Sequence, residues 1–193
     1  MICVLICDDH QIARQGIKQI LADASDLSLA GEAASGPEAI ARVRAGGIDV
    51  VLMDIAMPQR DGLDVLKQLK AEFPKLPVLM LSTYPDRQYA VRSHKPGAAG
   101  YPNKSAAAEQ MTEAIRRVAG GRLFITPNVA EQLAGAVGGG THDDTPLHER
   151  LSHREYQVFR LLAAGRSVGE IAEQLVLAAN TVSTYRARIL EKT

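Results

Sequence analysis

Four side chains of this 193-residue sequence could do chemistry together. Asp8 and Asp9 follow a short apolar run, Asp54 follows another, and Lys104 comes just after a third. Carboxylates brought into one place raise one another's pKa unless a cation sits among them. A hard divalent ion such as Mg²⁺ prefers oxygen ligands and keeps some of its waters, so it suits a pocket of this kind. Lys104 would add a fixed positive charge. Each residue also has a plainer reading. An aspartate at a strand end can cap the next helix, and most lysines lie solvated on the surface. The plain reading suits any one of them better than it suits the set.

What would gather them is a parallel sheet. Apolar runs at Ile2–Cys7, Leu29–Ala33, Val50–Met53, Val78–Leu81 and Ala98–Tyr101 read as five strands. Between them lie helical stripes, Ile12, Gly16, Ile17, Ile20 and Leu21 in one segment and Leu63, Leu66, Leu69 and Phe73 in another. Such alternation predicts an α/β doubly wound fold, with functional groups at the carboxyl ends of the strands. A last helix is expected over Ala106–Ala119, stopped by Gly120-Gly121.

Beyond Gly121 the pattern dissolves. Residues 122–146 read as a linker, with a possible short helix over Pro127–Val137 and a glycine run at Gly138–Gly140. From Leu147 the chain is helical again, in short pieces. Ser152 and Glu155 predict a capping box at the first of these, which carries Val158, Leu161 and Leu162 and ends at Gly165. Ile171, Ala172 and Leu175 mark a second helix. A third begins at Asn180 or Thr181 and carries Val182, Tyr185, Ile189 and Leu190 inward. From Ala178 on, Arg186, Arg188 and Lys192 face one acid, Glu191. Two short helices with a basic outer face suit a major-groove reader, although periodicity alone favours a generic helical bundle.

Basic and acidic residues number 22 each, which argues against non-specific coating of nucleic acid but leaves room for a local basic face. No run approaches the roughly 20 apolar residues of a membrane span. The start lacks the basic region of a signal peptide. Cys3 and Cys7 cannot bridge within one extended strand, and free thiols fit a reducing cytoplasm.

These residues also carry a resemblance. Asp8-Asp9, Val51-Leu-Met-Asp54-Ile-Ala-Met-Pro58, Asp61-Gly62, Ser82 and Tyr101-Pro-Asn-Lys104 resemble the receiver domain of two-component response regulators. The resemblance implies a flavodoxin-like, five-stranded parallel domain over 1–121, in strand order 2-1-3-4-5. It makes Asp54 the phosphoacceptor and Lys104 the partner of the phosphoryl group. Asp9, Asp54 and the Ala56 carbonyl would bind Mg²⁺ directly, and Asp8 would act through water. Ser82 and Tyr101 would be the switch pair that follows phosphorylation inward. Metal and lysine neutralise the charge that a carboxylate meets in attacking a phosphoryl group. Pro96 and Pro102 are unusual beside a fifth strand, because proline removes a ladder donor. An edge position would tolerate them.

Leu151-Ser-x-Arg-Glu155, Leu161-Leu-Ala-x-Gly165, Glu170-Ile-Ala172, Leu175 and Thr181-Val182 are similar to the LuxR-type helix-turn-helix over 147–193. Both halves together resemble the NarL/FixJ-type response regulators. By that likeness Val168–Ala187 is the helix-turn-helix, and Ser183, Thr184 and Ala187 lie where base-edge contacts are expected. Thr181 belongs to the same DNA-binding set. Arg186, Arg188 and Lys192 would contact phosphates. Ala178-Ala179 departs from the usual serine-containing cap, and Tyr185 stands where histidine is commoner. LuxR-type modules carry a fourth helix after this point, so the expectation is a module lacking its last helix.

The implied function is a transcription factor phosphorylated by a sensor histidine kinase and bound to double-stranded DNA. It would form a homodimer when phosphorylated, and it would work in the cytoplasm away from membranes. A rival from another class is a small α/β phosphatase with a metal-activated carboxylate. A third is a receiver-based interaction protein without DNA binding.

Overall fold

The computed structural model describes residues 1–55, 57, 62–81, 97–104, 106–125, 151, 153–175 and 177–192. The chain divides into two units, Met1–Gly139 and Gly140–Thr193, each with an apolar core of its own. No helix among the described residues is long and apolar enough to cross a membrane.

The first unit is built on four parallel strands: β1 (Ile2–Cys7), β2 (Leu27–Ala33), β3 (Val50–Asp54) and β4 (Val78–Leu81), in the order β2-β1-β3-β4. Every residue of β3 and β4 is buried, as expected of central strands covered on both faces. Alternation along the strands divides the core. Leu5, Cys7, Val51, Met53, Val78 and Met80 face α2 (Gly36–Ala45) and α3 (Gly62–Glu72). Val4, Ile6, Val50, Leu52, Leu79 and Leu81 face α1 (Gln11–Ala22) and α4 (Ala108–Ala119). Fully burying one such side chain stabilises by about 1.5–3 kcal/mol. In α1 the stripe holds at Ile17 and Leu21 but not at its start, where Ile12 is 88% exposed.

The fifth strand is shorter than its apolar run suggests. Ala99 donates to the Val78 carbonyl at 2.8 Å, and Met80 donates to Gly100 at 2.9 Å. The ladder then shrinks to one parallel bridge, Leu79 with Gly100. Pro102 follows two residues later and has no N–H to continue it. Nor is this position the edge. Phe124 lies outside it, bridging Gly100 and donating to the Ala99 carbonyl at 2.8 Å. Phe124 is 7% exposed and packs with Leu79, Met111 and Ile115. So the segment after Gly121, read from its composition as linker, begins by completing the sheet. The predicted helix over Pro127–Val137, the glycine run and Pro96 lie outside the described residues.

Glycine at position 100 is required by that close approach. A Cβ there would collide with the Phe124 carbonyl oxygen and lie 2.9 Å from Phe124 Cβ and 3.0 Å from Leu79 Cδ2. The helix ends obey local rules as well. Gly121, at φ +77°, closes α4, with Arg122 N–H bonding Arg117 O and Gly121 N–H bonding Val118 O.

The second unit holds α5 (His153–Ala163), α6 (Val168–Gln174) and α7 (Ala179–Lys192). Its core is Leu151, Val158, Ile171, Ala172, Val182 and Ile189, with Leu161, Leu162, Leu175 and Tyr185 packed around it. Gly165, at φ +78°, ends α5 as expected. Ser152 lies outside the described residues. A complete capping box stands instead at α6, where Ser167 and Glu170 bond each other's backbone N–H groups. Leu190, predicted to point inward, is 69% exposed. It follows Ile189 directly, and adjacent helical residues cannot both lie on a stripe this narrow.

Gly100→Ala should destabilise the first unit by about 1–3 kcal/mol, the usual cost of overpacking. Urea unfolding of the full chain followed by circular dichroism measures this. An unchanged midpoint would mean that Phe124 is not held against the sheet.

Candidate functional site

The carboxyl ends of β1 and β3 lie side by side, Cys7 opposite Met53 in register. Asp8 therefore leaves the sheet beside Asp54. Asp8 is anchored on its outer side by its own N–H, which donates to Ala33 O of β2 at 3.1 Å. Both side chains are buried: Asp8 is fully enclosed and Asp54 is 2% exposed. Asp54 is paired in register with Leu81 of β4. Its backbone is also pressed by α3, because Gly62 donates to Ile55 O at 3.0 Å and a Cβ on Gly62 would strike the Asp54 carbonyl oxygen.

Lys104 enters from beyond the fifth-strand bridge. Its Nζ lies 2.7 Å from Asp8 Oδ2 and 2.9 Å from Asp54 Oδ2, with 13% of its side chain exposed. Burial by itself lowers the ammonium pKa. The charge of Asp54, with the hydrogen bonds and charge of Asp8, outweighs that effect and holds it above the ordinary lysine value. Asp9, at the rim, keeps 27% of its side chain exposed, and its Oδ1 lies 2.8 Å from His10 Nδ1.

The sequence reading missed two members of this site. His10 approaches Asp8 Oδ1 from both its backbone N–H, at 2.9 Å, and its ring Nδ1, at 3.3 Å. Ligand atoms of Asp8, Asp9, His10 and Asp54 all lie within 4.8 Å of one another. Arg14, one turn into α1, donates to the Asp8 carbonyl at 2.7 Å and is held in place by Glu32 at 3.0 Å. Adjacency to Asp8-Asp9 was the available signal for His10. Arg14 gave none, because its partner lies on β2.

This donor set fits a hard cation. Asp8 Oδ2 and Asp9 Oδ1 are buried oxygens turned into the cluster, beside Lys104 Nζ and His10 Nδ1 respectively. Carboxylate oxygens clustered in this way match the preference of Mg²⁺ for oxygen ligands. Cys7, though adjacent, does not join them. Burial first, then the charges of Asp8 and Glu38, push its thiol far above the usual range, so it stays protonated.

Tyr101 is half-buried against the cluster of α2 and α3. Ser82 and Ala56 lie outside the described residues.

In the second unit Ser183, Thr184, Arg186, Ala187 and Arg188 are all exposed on α7, and Thr181 is half-buried. The Thr184 hydroxyl is turned back to Asn180 O at 2.9 Å. Lys192 is not turned to solvent as an isolated charge: both Glu155 oxygens bind its Nζ, at 2.7 and 2.9 Å.

A group whose folded pKa is raised contributes stability that is whole below its unfolded pKa and fades as pH rises through the folded one. Lys104 therefore braces the acidic pocket throughout neutral pH. Lys104→Met should cost roughly 3–5 kcal/mol there, since it strips the cation from two buried carboxylates. The difference from the parent should close only above the ordinary lysine value of 10.5. Urea unfolding at neutral and alkaline pH reads both effects, and equal midpoints at neutral pH would contradict this account of the pocket.

Comparison with known proteins agrees with this geometry. The family model described as "Response regulator receiver domain" matches residues 4–116, and "Bacterial regulatory proteins, luxR family" matches 149–193. Response regulator UvrY of Escherichia coli is 36% identical over all of this chain and 88% of its own length. Response regulator GacA of Pseudomonas aeruginosa is 38% identical over all of this chain and 89% of its own. The structure of RcsB from Salmonella enterica bound to promoter DNA with a phosphomimetic superposes with a TM-score of 0.63 at 26% identity, covering 99% of this chain and 91% of that one. The chain therefore belongs to the response regulators, a family of transcription regulators rather than enzymes, with a receiver domain followed by a LuxR-type DNA-binding domain.

Proposed function

We propose that Asp54 accepts a phosphoryl group from a sensor histidine kinase and that this controls DNA binding through α7. One observation carries the reading: Lys104 Nζ lies within 2.9 Å of Asp54 Oδ2 while bound to Asp8. A carboxylate oxygen of Asp54 attacks phosphorus, the bond from phosphorus to the donor imidazole breaks, and an acyl phosphate forms. Lys104, already fixed beside that oxygen, neutralises the incoming phosphoryl oxygens without having to move far. Asp9, Asp54 and the Ala56 carbonyl would hold Mg²⁺, with Asp8 acting through water. When bound, the ion shields the negative charge on carboxylate and phosphate. His10 orients Asp9, and Arg14 fixes the Asp8 carbonyl, so the acidic turn is held in place before the reaction. Ser82 and Tyr101 are the switch pair in this reading.

The product adds about −1.5 to −2 charge next to Lys104. That change competes for the lysine's present partners and biases the segment from Gly100 to Lys104. Ser183, Thr184 and Ala187, with Thr181, face base edges, and Arg186 and Arg188 contact phosphates. Phosphorylation favours a homodimer matched to two-fold half-sites. The receiver runs from residue 1 through Phe124, which completes its sheet, and a linker separates it from the DNA-binding domain at 147–193. We place the protein in the cytoplasm away from membranes, where Cys3 and Cys7 stay reduced.

The test has two arms. Acetyl phosphate with Mg²⁺ should add one phosphoryl group, seen by intact mass, to the parent and none to Asp54→Asn; equal labelling of both would remove Asp54 from its role. Phosphorylation should also change affinity for a duplex selected from a random pool by roughly 5–150-fold at matched salt. Equal affinity of the two forms would break the link to DNA.

A further inference from the structure

The inner stripe of α7 runs Val182, Tyr185, Ile189, and the next position at that spacing is Lys192. Val182 and Ile189 are buried and Tyr185 packs on the same core. Lys192 therefore takes up a core-facing register, although its side chain keeps 41% exposure at the helix end. What compensates it is Glu155, which is 2% exposed and stands one turn before Val158 on α5. The pair joins the first turn of one helix to the last turn of another across 37 residues. Each charge lies at the helix end that its macrodipole favours. A lysine withdrawn from this partner toward a DNA phosphate would give up both of its bonds to a nearly fully buried carboxylate. Arg186 and Arg188 carry no such penalty, since both are exposed and neither pairs with a described residue.

We infer that Lys192 is a positioning residue for α7 rather than a phosphate contact. Its pair with Glu155 fixes the end of the helix and thereby the placement of Arg186 and Arg188. The inference rests on the proposed reading of α7 as the DNA-facing helix.

The experiment uses the full chain and the variants Glu155→Gln, Lys192→Met, Lys192→Arg and the double Glu155→Gln/Lys192→Met. Amide hydrogen exchange over α7 is followed without DNA. Fluorescence anisotropy then follows binding to a labelled duplex, selected from a random pool by the parent chain, across a salt series. Glu155→Gln and Lys192→Met should each weaken binding, within the roughly 5–150-fold range typical of coupled sites. The salt slope should stay that of the parent. The double variant should be no worse than either single one, Lys192→Arg should retain affinity, and exchange should quicken in the last turn of α7. A phosphate-contacting Lys192 predicts the opposite sign. Glu155→Gln would release the lysine and tighten binding, while Lys192→Met would flatten the slope by about one unit. That pattern, or unaltered exchange in Glu155→Gln, overturns the inference. Should Glu155→Gln unfold the unit, Glu155→Asp, which keeps the charge and shortens the reach, replaces it with the same expectations. If the parent selects no duplex, the DNA-facing reading of α7 fails, and exchange alone decides the Glu155–Lys192 clamp.

Discussion

Two buried carboxylates held by one ammonium are the constraint around which the first unit is arranged. Asp8 and Asp54 are almost wholly enclosed, and such charges are tolerated in a folded core only when paired. Lys104 meets both at 2.7 and 2.9 Å. The same lysine is delivered by the segment that follows Gly100, so the charge balance depends on where the end of the sheet lies. Placement of that segment in turn depends on Leu79 on one side and Phe124 on the other. Electrostatics at the pocket and packing at the sheet margin are thus coupled through a few residues.

Around this centre a shell of polar contacts limits the freedom of the acidic turn. His10 bonds Asp8 from backbone and ring, Arg14 takes its carbonyl, and Glu32 holds Arg14 with help from Lys18 at 2.8 Å. On the other side Gly62 lets α3 come against the Asp54 backbone, where any side chain would be excluded. A site braced on both sides changes state by exchanging partners at its charged atoms. This is the behaviour expected of a switch whose trigger is added charge.

The second unit solves a related problem with less burial. Among the described residues three short helices share a small core, and the ends of α5 and α7 are joined by the pair of Glu155 and Lys192. The polar face of α7 is left exposed from Ser183 to Arg188, broken only by the half-buried Tyr185. The capping box at Ser167 sets where α6 begins, and so fixes the end of the turn between α5 and α6.

Much of this was legible from residue order. Strands and helices announced themselves by period, and strand-end acids in neighbouring runs had to converge once the sheet was parallel. The stops at Gly121 and Gly165 followed from glycine's access to positive φ. Periodicity names a stripe but not its ends. Whether Ile12 and Leu190 are covered depends on what lies opposite the first and last turns, and nothing among the described residues does so closely. Phe124 looked like linker because a single bridging residue has no period to detect. Arg14 and Glu32 stand on different elements, and Glu155 and Lys192 are 37 residues apart. Local sequence carries no trace of such pairings. They exist because folding brings opposite charges from distant elements within bonding distance.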